Sequence, residues 1–329
     1  MSIREEFKVE LEPLTPTFVW SGETLYPNAD YSLVGGRVIV IDVRKALGKV
    51  GKLEEAFREE FAREVQGVKL VFPSDPLPER IMMVNEYLVP ASSIKGLIRT
   101  AVLNGLSDQE VYDRVRANLR ELGSLDYKTA IRSLRAVGQP VEMLLRRRIG
   151  NYVYDALSRL LISEPKVNNV ELSLKKVKVV EVIGGFEAEA YVIALTKGRL
   201  VYDCKVLQPT NYGVYPDLRG LDERISKDFI LRSLEAFSKV VIEKERKRVG
   251  RARLVKYLEF LSSLRAEGNC VPIKVGMFTG HHAKTVALPP DVEATREKLM
   301  SRLTGHAWDS RSVKLVDGLG VGWVRLCVR

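Results

Sequence analysis

The order of strand-like and helix-like segments is the feature that most constrains this fold. Residues 7–14, FKVELEPL, alternate apolar and polar side chains, as a half-buried strand does. Residues 107–165 and 221–267 have helical patterns, with a break near Gly250 in the second segment, whereas residues 170–195 and 270–329 are rich in β-branched runs. Because strands and helices come in blocks, the order predicts an α+β fold and not a doubly wound parallel sheet.

Smaller signals refine this outline. Two β-prone runs, 31–34 and 37–42, flank Gly35–Gly36 and predict a hairpin, and Gly184–Gly185 predicts another. Apolar residues at helical spacing predict a helix over 52–67. Residues 71–80 hold three prolines and are expected to form a connection.

Residues 91–106, ASSIKGLIRTAVLNGL, are the most informative helix. Apolar side chains from Ile94 to Val102 share one arc of the helix. The opposite arc holds Ser92, Lys95, Gly96 and Arg99, and Ser92 or Ser93 is the expected N-cap. A helix N-terminus with nearby basic side chains attracts phosphate. The alternative is a capped amphipathic helix with a solvated basic side.

The charge balance favours a polyanionic partner. Lys and Arg number 52 against 42 Asp and Glu, which gives a net charge of +10. Two dense basic runs stand out, Arg146-Arg147-Arg148 and residues 243–256. The first lies in RRRIGNYVYDALSRLL, read here as a helix with a core-facing stripe through Ile149, Tyr152, Val153, Ala156, Leu157 and Leu160. Each run is either part of a polyphosphate track or a solvated helix face.

Three glycines are clustered near the C-terminus of the sequence. Gly318, Gly320 and Gly322 precede Trp323, but the Gly-Lys-Ser/Thr of a phosphate-binding loop is missing. These glycines form either a close-packed turn between strands or a flat surface for a nucleotide backbone. Trp323 either stacks on a base or belongs to the core.

The only adjacent histidines are His281 and His282, in a segment that ends with Lys284 and Thr285. The pair could supply the general acid and base of metal-independent RNA cleavage, or donate hydrogen bonds to phosphate. A zinc site with His306 is disfavoured, because adjacent residues rarely bind one metal and no cysteine pair supports it. The sequence thus predicts neither a metal nor a cofactor.

The cysteines and hydropathy bear on the compartment. Cys204, Cys270 and Cys327 are odd in number and far apart, so the sequence predicts no disulfide framework and a reducing, cytoplasmic setting. No run of about 18 apolar residues is present, so no spanning helix and no membrane partner are expected.

Four stretches together resemble RAMP proteins, a superfamily of CRISPR-associated proteins. Residues 90–100 are similar to its I-P-G-S-S-[IL]-K-G-x-[IL]-R-T segment, with Ala91 in place of the usual glycine. Residues 276–285, ending in Lys-Thr, and the Leu-Gly-x-Gly-Trp sequence at 319–323 resemble later motifs. Residues 13–31 resemble the N-terminal loop of subunit five of the Csm (type III) effector, with Trp20 where a glycine is usual.

The resemblance implies a ferredoxin-like (RRM-type) βαββαβ core with large helical insertions, and with room for a second, degenerate RRM-like unit. Residues 1–106 would begin the core and residues 268–329 would complete it with strands and glycine-rich loops. Between them we expect a helical basic insertion at 107–169, a β-rich segment at 170–220 and a helical segment at 221–267.

The resemblance also implies a function. The chain would be a non-catalytic guide-RNA (crRNA)-binding subunit that caps the effector backbone near the crRNA 3′ region and supports crRNA maturation and antiviral defence. Its partners would be crRNA, the neighbouring RAMP backbone and small subunits, and recruited host nucleases. The alternatives are a metal-independent endoribonuclease that processes precursor crRNA and depends on His281 or His282, or another RAMP backbone subunit.

The residues expected to contact RNA come from four parts of the chain. They are Ser92, Ser93, Lys95, Gly96 and Arg99 from the central helix, Arg146, Arg147 and Arg148 from the basic run, His281, His282 and Lys284 from the histidine segment, and Gly318, Gly320 and Gly322 near the C-terminus.

Overall fold

The computed structural model describes residues 2–27, 29–34, 37–41, 69–73, 78–182, 187–208, 216–305 and 312–329. The strands in these ranges are β1 (Ile3–Pro13), β2 (Trp20–Leu25), β3 (Tyr31–Val34), β4 (Arg37–Ile41), β5 (Lys69–Pro73), β6 (Ile81–Val84), β7 (Arg146–Ile149), β8 (Tyr152–Asp155), β9 (Leu160–Ile162), β10 (Lys166–Glu181), β11 (Glu187–Leu207), β12 (Cys270–Lys274), β13 (Ser312–Val316), β14 (Leu319–Gly320) and β15 (Trp323–Val328). The helices are α1 (Ala91–Leu106), α2 (Gln109–Ser124), α3 (Tyr127–Val137), α4 (Gln139–Glu142), α5 (Asp217–Glu223), α6 (Lys227–Arg251), α7 (Val255–Ser263) and α8 (Pro290–Thr304), with 3₁₀ turns at Ala156–Arg159 and His281–Ala283.

The main sheet contains the predicted ferredoxin-like core. Strands β15, β1, β11 and β10 lie side by side in that order, and each neighbouring pair is antiparallel. Counted along the chain these are strands 4, 1, 3 and 2, with α1 between the first two and α6 before the last. Strand β12 extends the sheet beyond β15, and β13 and β14 extend it beyond β10. The α+β class is therefore confirmed.

The alternation read in residues 7–14 has the expected result. Phe7, Val9 and Leu11 of β1 are buried, and Val9 lies opposite the buried Tyr202 of β11. The C-terminal strand β15 covers the other edge of β1, so the first and last segments of the chain share one core.

Helix α1 has the predicted bounds and apolar face. Ile94, Leu97, Ile98, Ala101 and Val102 are buried, and α1 packs against α6. Its N-cap is Pro90, however, so the expectation that Ser92 or Ser93 caps the helix is wrong. Proline fixes φ at a value that is compatible with the start of a helix. The helix therefore begins at Ala91, before either serine.

The basic run at 146–148 is not helical. Strands β7 and β8 pair as a two-stranded ribbon, in which Arg147 lies opposite Tyr154 and Arg148 opposite Val153. Tyr152 is 80% exposed and Val153 60% exposed, so the predicted core-facing stripe is wrong for these two residues. Ala156, Leu157 and Leu160 are buried as predicted, because the chain turns into the core after β8.

The other local predictions have mixed outcomes. The hairpin of β3 and β4 is confirmed, as are the β10–β11 pairing and the separate helices α6 and α7. Residues 71–73 are not a connection but the end of β5, which pairs with β4. The predicted helix at 52–67, the glycines at 35–36 and 184–185, and His306 lie outside the described residues.

The expectation that the cysteines form no disulfide framework is wrong for one pair. Cys270 and Cys327 lie directly opposite each other in the β12–β15 pair and form a disulfide, whereas Cys204 is free and buried. The sequence did not indicate the pairing because 57 positions separate the two cysteines and only strand register brings them together. Among the described helices, none is long and apolar enough to cross a membrane.

Candidate nucleic-acid interface

A cleft of about 590 Å³ runs between the polar flank of α1 and the loop after β12. We call it the α1 cleft. Its walls are formed by Val19, Trp20, Ser93, Gly96, Leu97, Arg99, Thr100, Lys274, Val275, Gly276, Met277, Thr279, Ala283 and Lys284. Three stretches that the sequence singled out, 13–31, 91–106 and 276–285, therefore meet at one surface.

The loop at residues 276–280 is shaped by a close backbone approach. The Met277 amide donates a hydrogen bond to the Phe18 carbonyl at 2.7 Å, and a Cβ on Gly276 would lie 2.4 Å from that oxygen. Gly276 has φ +99°, and Phe278 has φ +65°, which is a strained value for an aromatic residue. The Phe278 ring stacks on Phe18 at 6.0 Å and holds the loop against the N-terminal segment.

Lys284 presents a cation at the cleft that no described residue neutralises. Its side chain is exposed, and its ammonium group has no hydrogen bond or ion pair with any described residue. Partial burial lowers its pKa from the ordinary lysine value. A neighbouring anion would restore the charged form, so this lysine is suited to bind phosphate.

Trp20 stands on the opposite wall. Its side chain is 42% exposed, and its indole N–H donates to the Glu23 carbonyl at 2.8 Å, which fixes the ring. The same ring lines a neighbouring hollow of about 460 Å³ together with Tyr191 and Arg80. An exposed, oriented indole beside a basic cleft is a stacking platform for a base. Trp20 was not among the predicted contacts, although its departure from the family's usual glycine was a signal.

Gly96 and Ser93 contribute open space. A Cβ on Gly96 would meet nothing within 4 Å, and Ser93 is half-buried at the cleft wall. Ser92 is exposed but does not line this cleft.

Lys95 and Arg99, in contrast, are engaged within the protein. The Lys95 ammonium donates to the Leu160 carbonyl at 2.7 Å, and burial lowers its pKa. The Arg99 guanidinium pairs with Glu142 at 2.5 Å and with Asp155 at 2.9 Å. Burial alone would lower the pKa of Arg99, but its hydrogen bonds to these carboxylates outweigh burial and raise it. Both side chains, predicted as RNA contacts, therefore have partners inside the protein.

The first turn of α1 also has an internal anion. The Ala91 N–H donates to the Glu164 carboxylate at 2.8 Å. A carboxylate of the chain thus occupies the position beside the helix N-terminus at which a phosphate was expected.

The three predicted arginines differ in their exposure. Arg146 pairs with Asp155 at 3.0 Å and with Glu142 at 3.1 Å, so it shares both carboxylates with Arg99. Arg147 and Arg148 are exposed on the β7–β8 ribbon, in which Tyr152 is exposed as well.

Gly320 and Gly322 are close-packing residues. A Cβ on Gly320 would lie 1.9 Å from the Tyr257 hydroxyl, and one on Gly322 would lie 2.6 Å from the Val275 carbonyl. Trp323 is fully buried and its indole N–H donates to Tyr257 at 2.8 Å. The sequence left two alternatives open for the glycines and two for Trp323. For Gly320 and Gly322 the structure shows a close-packed turn between strands, and for Trp323 it shows a core position. Gly318 is exposed, with φ +80°.

The two histidines face away from the α1 cleft. His282 lies 2.5 Å from the buried carboxylate of Glu245, and its Nδ1 lies 3.2 Å from Arg248. His281 lies 3.2 Å from Arg296. Burial, and then Arg296, lower the pKa of His281, which favours its neutral form. No group of three or more metal-ligating side chains occurs in the described part of the chain.

The antiparallel core with strand order 4-1-3-2, enlarged by helices and extra strands, defines an α+β protein with a ferredoxin-like core. Comparison with solved structures agrees with this class. One similar structure is a chain of a Csm-crRNA-target RNA ternary complex of a type III-A CRISPR-Cas system, with a TM-score of 0.69 and 18% identity. The match covers 98% of this chain and 100% of that chain.

A second similar structure is Csm5 of T. onnurineus, with a TM-score of 0.59 and 16% identity. The match covers 96% of this chain and 99% of that chain. The predicted resemblance to subunit five of the Csm effector is thus confirmed at the level of the fold. No protein-family profile matches the sequence, and no curated protein sequence does so either.

Proposed function

We propose that this protein is a guide-RNA-binding subunit of a type III CRISPR effector of the Csm type. The observation that carries the proposal is the match over nearly the whole chain to a protein from a complex with crRNA and target RNA. The likeness to Csm5, over a similar extent, supports the position of subunit five, which caps the backbone near the crRNA 3′ region. The RAMP backbone and small subunits are its proposed neighbours.

The α1 cleft is the proposed RNA contact. Lys284 would neutralise a phosphate, Trp20 would stack on a base, and the open space at Gly96 would admit the sugar-phosphate backbone. Arg147 and Arg148 on the β7–β8 ribbon would add phosphate contacts outside the cleft. Ser92, Lys95 and Arg99 are not needed for this contact.

Lys284→Glu and Trp20→Ala test the proposal. Each variant should weaken binding of single-stranded crRNA, and Lys284→Glu should also lower the slope of log K against log salt by about 0.7. Lys128→Glu, at an exposed position in the first turn of α3, makes the same charge change away from the cleft and should leave affinity unchanged. Equal loss of affinity in Lys128→Glu and Lys284→Glu would refute the cleft as the contact.

The non-catalytic status is tested separately. The protein is incubated with repeat-containing RNA in the presence of EDTA, and discrete products that disappear in His281→Ala would favour the endoribonuclease alternative. Intact RNA that stays bound is the expected result. Reconstitution with the other subunits, followed by co-purification of crRNA, tests membership of the effector.

A further inference from the structure

A second and larger cavity, of about 1050 Å³, lies between α6 and α8. We call it the α6–α8 cavity. The 3₁₀ turn at His281–Ala283 separates it from the α1 cleft, since His281 and His282 line the cavity whereas Ala283 and Lys284 line the cleft. The proposed crRNA contact does not use this space, and the main sheet reaches it only through Ser312 and Lys314 of β13.

The lining of the α6–α8 cavity is strongly basic. Three glutamates and six cationic side chains line it. The cationic residues are Lys244, Lys247, Arg248, Arg251, Arg296 and Lys314. Lys244 pairs with Glu293 at 2.8 Å, and Lys247 pairs with Glu243 at 2.7 Å. Arg251 is exposed and has no ion pair or hydrogen bond from its side chain to any described residue.

The protein interior behind Arg248, which lines the cavity, has an excess of buried positive charge. Arg248 and Lys274 are buried beside a single buried carboxylate, that of Glu245, which accepts from Lys274 at 2.6 Å. Lys314 donates to the Ser312 hydroxyl at 2.6 Å and has no carboxylate partner among the described residues. Burial, and then the charges of Arg248 and Lys274, lower the pKa of Lys314. An anion in the cavity would offset this repulsion.

The other wall of the cavity is apolar. It includes Tyr112, Val240, Leu288, Pro289 and Ala294. The Asn104 side-chain carbonyl accepts from the Ala287 N–H at 3.2 Å, which orients the amide at this wall. A concave site with an apolar side, an oriented amide and a basic end suits a ligand that is part ring and part phosphate.

We propose that the α6–α8 cavity binds a nucleoside phosphate, with its base against the Tyr112 and Leu288 wall and its phosphate near Arg251 and Lys314. The phosphate charge would be neutralised by Arg251 and Lys314, which have no carboxylate partner in the described part of the chain, together with Lys247, which also lines the cavity. The ligand is either a free mononucleotide or the terminal nucleotide of an RNA strand, because both present the same groups. The proposal does not depend on membership of a CRISPR effector.

Titration calorimetry of the full chain with AMP and with adenosine tests the proposal. AMP should bind, and adenosine should bind at least about tenfold more weakly, since it lacks the phosphate. The double variant Lys247→Gln/Arg251→Gln should weaken AMP binding about tenfold. The matched control Arg232→Gln/Lys239→Gln removes two exposed positive charges from the same helix away from the cavity and should bind AMP as wild type does.

A short single-stranded RNA with a 3′-phosphate, compared with its 3′-hydroxyl form, separates the two sources. Binding of AMP that depends on Arg251 supports a free nucleotide. Binding only of the phosphorylated RNA, with the same dependence, supports a strand end. Lys284→Glu should leave AMP binding unchanged, so failure at the α1 cleft and failure at this cavity are distinguishable. If neither ligand responds to the Lys247/Arg251 variant, or the control variant responds equally, the proposal is overturned.

Discussion

At the scale of single residues, the two kinds of glycine in this protein have opposite roles. Gly320 is buried against Tyr257, whereas Gly96 faces the open α1 cleft. Both glycines belong to motifs that are equally conspicuous in the sequence. What distinguishes them is the neighbour that the fold supplies, which no local pattern reveals.

Substitution of each glycine by alanine makes this difference measurable. Gly320→Ala places a methyl group within the space of the Tyr257 hydroxyl and should lower the free energy of unfolding by about 1–3 kcal/mol. Gly96→Ala meets nothing and lies inside a helix, so it should be neutral or stabilising by up to about 1 kcal/mol. Urea unfolding of both variants provides the test, and equal destabilisation would contradict the assigned packing.

At the scale of elements, Arg99 and Arg146 connect α1 to the β7–β8 ribbon. Both guanidinium groups converge on Glu142 and Asp155, so helix, ribbon and α4 are joined by one charged cluster. The sequence indicated each arginine as a phosphate ligand, because basic residues on a helix flank and in a run are typical of that role. Their carboxylate partners lie 43 and 56 positions from Arg99, and only the tertiary fold brings them together.

Arg99→Ala tests the importance of this cluster. Removal of a largely buried guanidinium leaves two carboxylates with one partner fewer, and the free energy of unfolding should fall by about 2 kcal/mol. Arg114→Ala removes an exposed arginine from an i,i+4 pair with Glu110 and should change stability by less than about 0.5 kcal/mol. Denaturant titration compares them. Similar small losses in both variants would show that the Arg99 contacts contribute little.

Because of the same cluster, part of the free energy of unfolding should be lost at acidic pH. Burial alone would raise the pKa of Asp155, but hydrogen bonds from Arg146 and Arg99 outweigh it and hold the pKa below its ordinary value of 3.8. Such a carboxylate contributes stability that is fully present above the unfolded-state pKa and is lost as pH falls through the folded-state value. Below about pH 4 the stability of wild type should therefore fall more steeply than that of Asp155→Asn. Parallel curves of unfolding free energy against pH would exclude this contribution.

Local patterns predicted the elements with clear periodicity and failed where contacts are non-local. Helix α1, the β3–β4 hairpin and the long strands β10 and β11 follow from spacing alone. The β7–β8 ribbon could not be predicted from spacing, because its apolar residues also fit a helical period. Nothing in the local sequence indicates that Tyr152 is exposed. For the candidate site, the sequence identified the α1 flank and Lys284 but not their meeting with Trp20, which depends on how three distant segments pack.

At the scale of the whole molecule, the disulfide between Cys270 and Cys327 closes a loop that contains the 281–284 turn, α8 and the strand β13. This loop includes one wall of the α1 cleft and one wall of the α6–α8 cavity. A covalent link between β12 and β15 therefore restrains both candidate binding surfaces at their common base. The link acts on the unfolded chain as well, since it limits the conformations open to the intervening residues.

Reduction should consequently weaken the fold. With a sequence separation of 57 between the cysteines, loss of the bond is expected to lower the free energy of unfolding by about 2–4 kcal/mol. Stability is measured by denaturant titration with and without reductant, and Cys270→Ala/Cys327→Ala is the control in which reductant should have no effect. A thiol count on the unfolded, unreduced protein should give one free thiol, that of Cys204. A count of three would show that the bond does not form, and an unchanged stability on reduction would show that it does not restrain the chain.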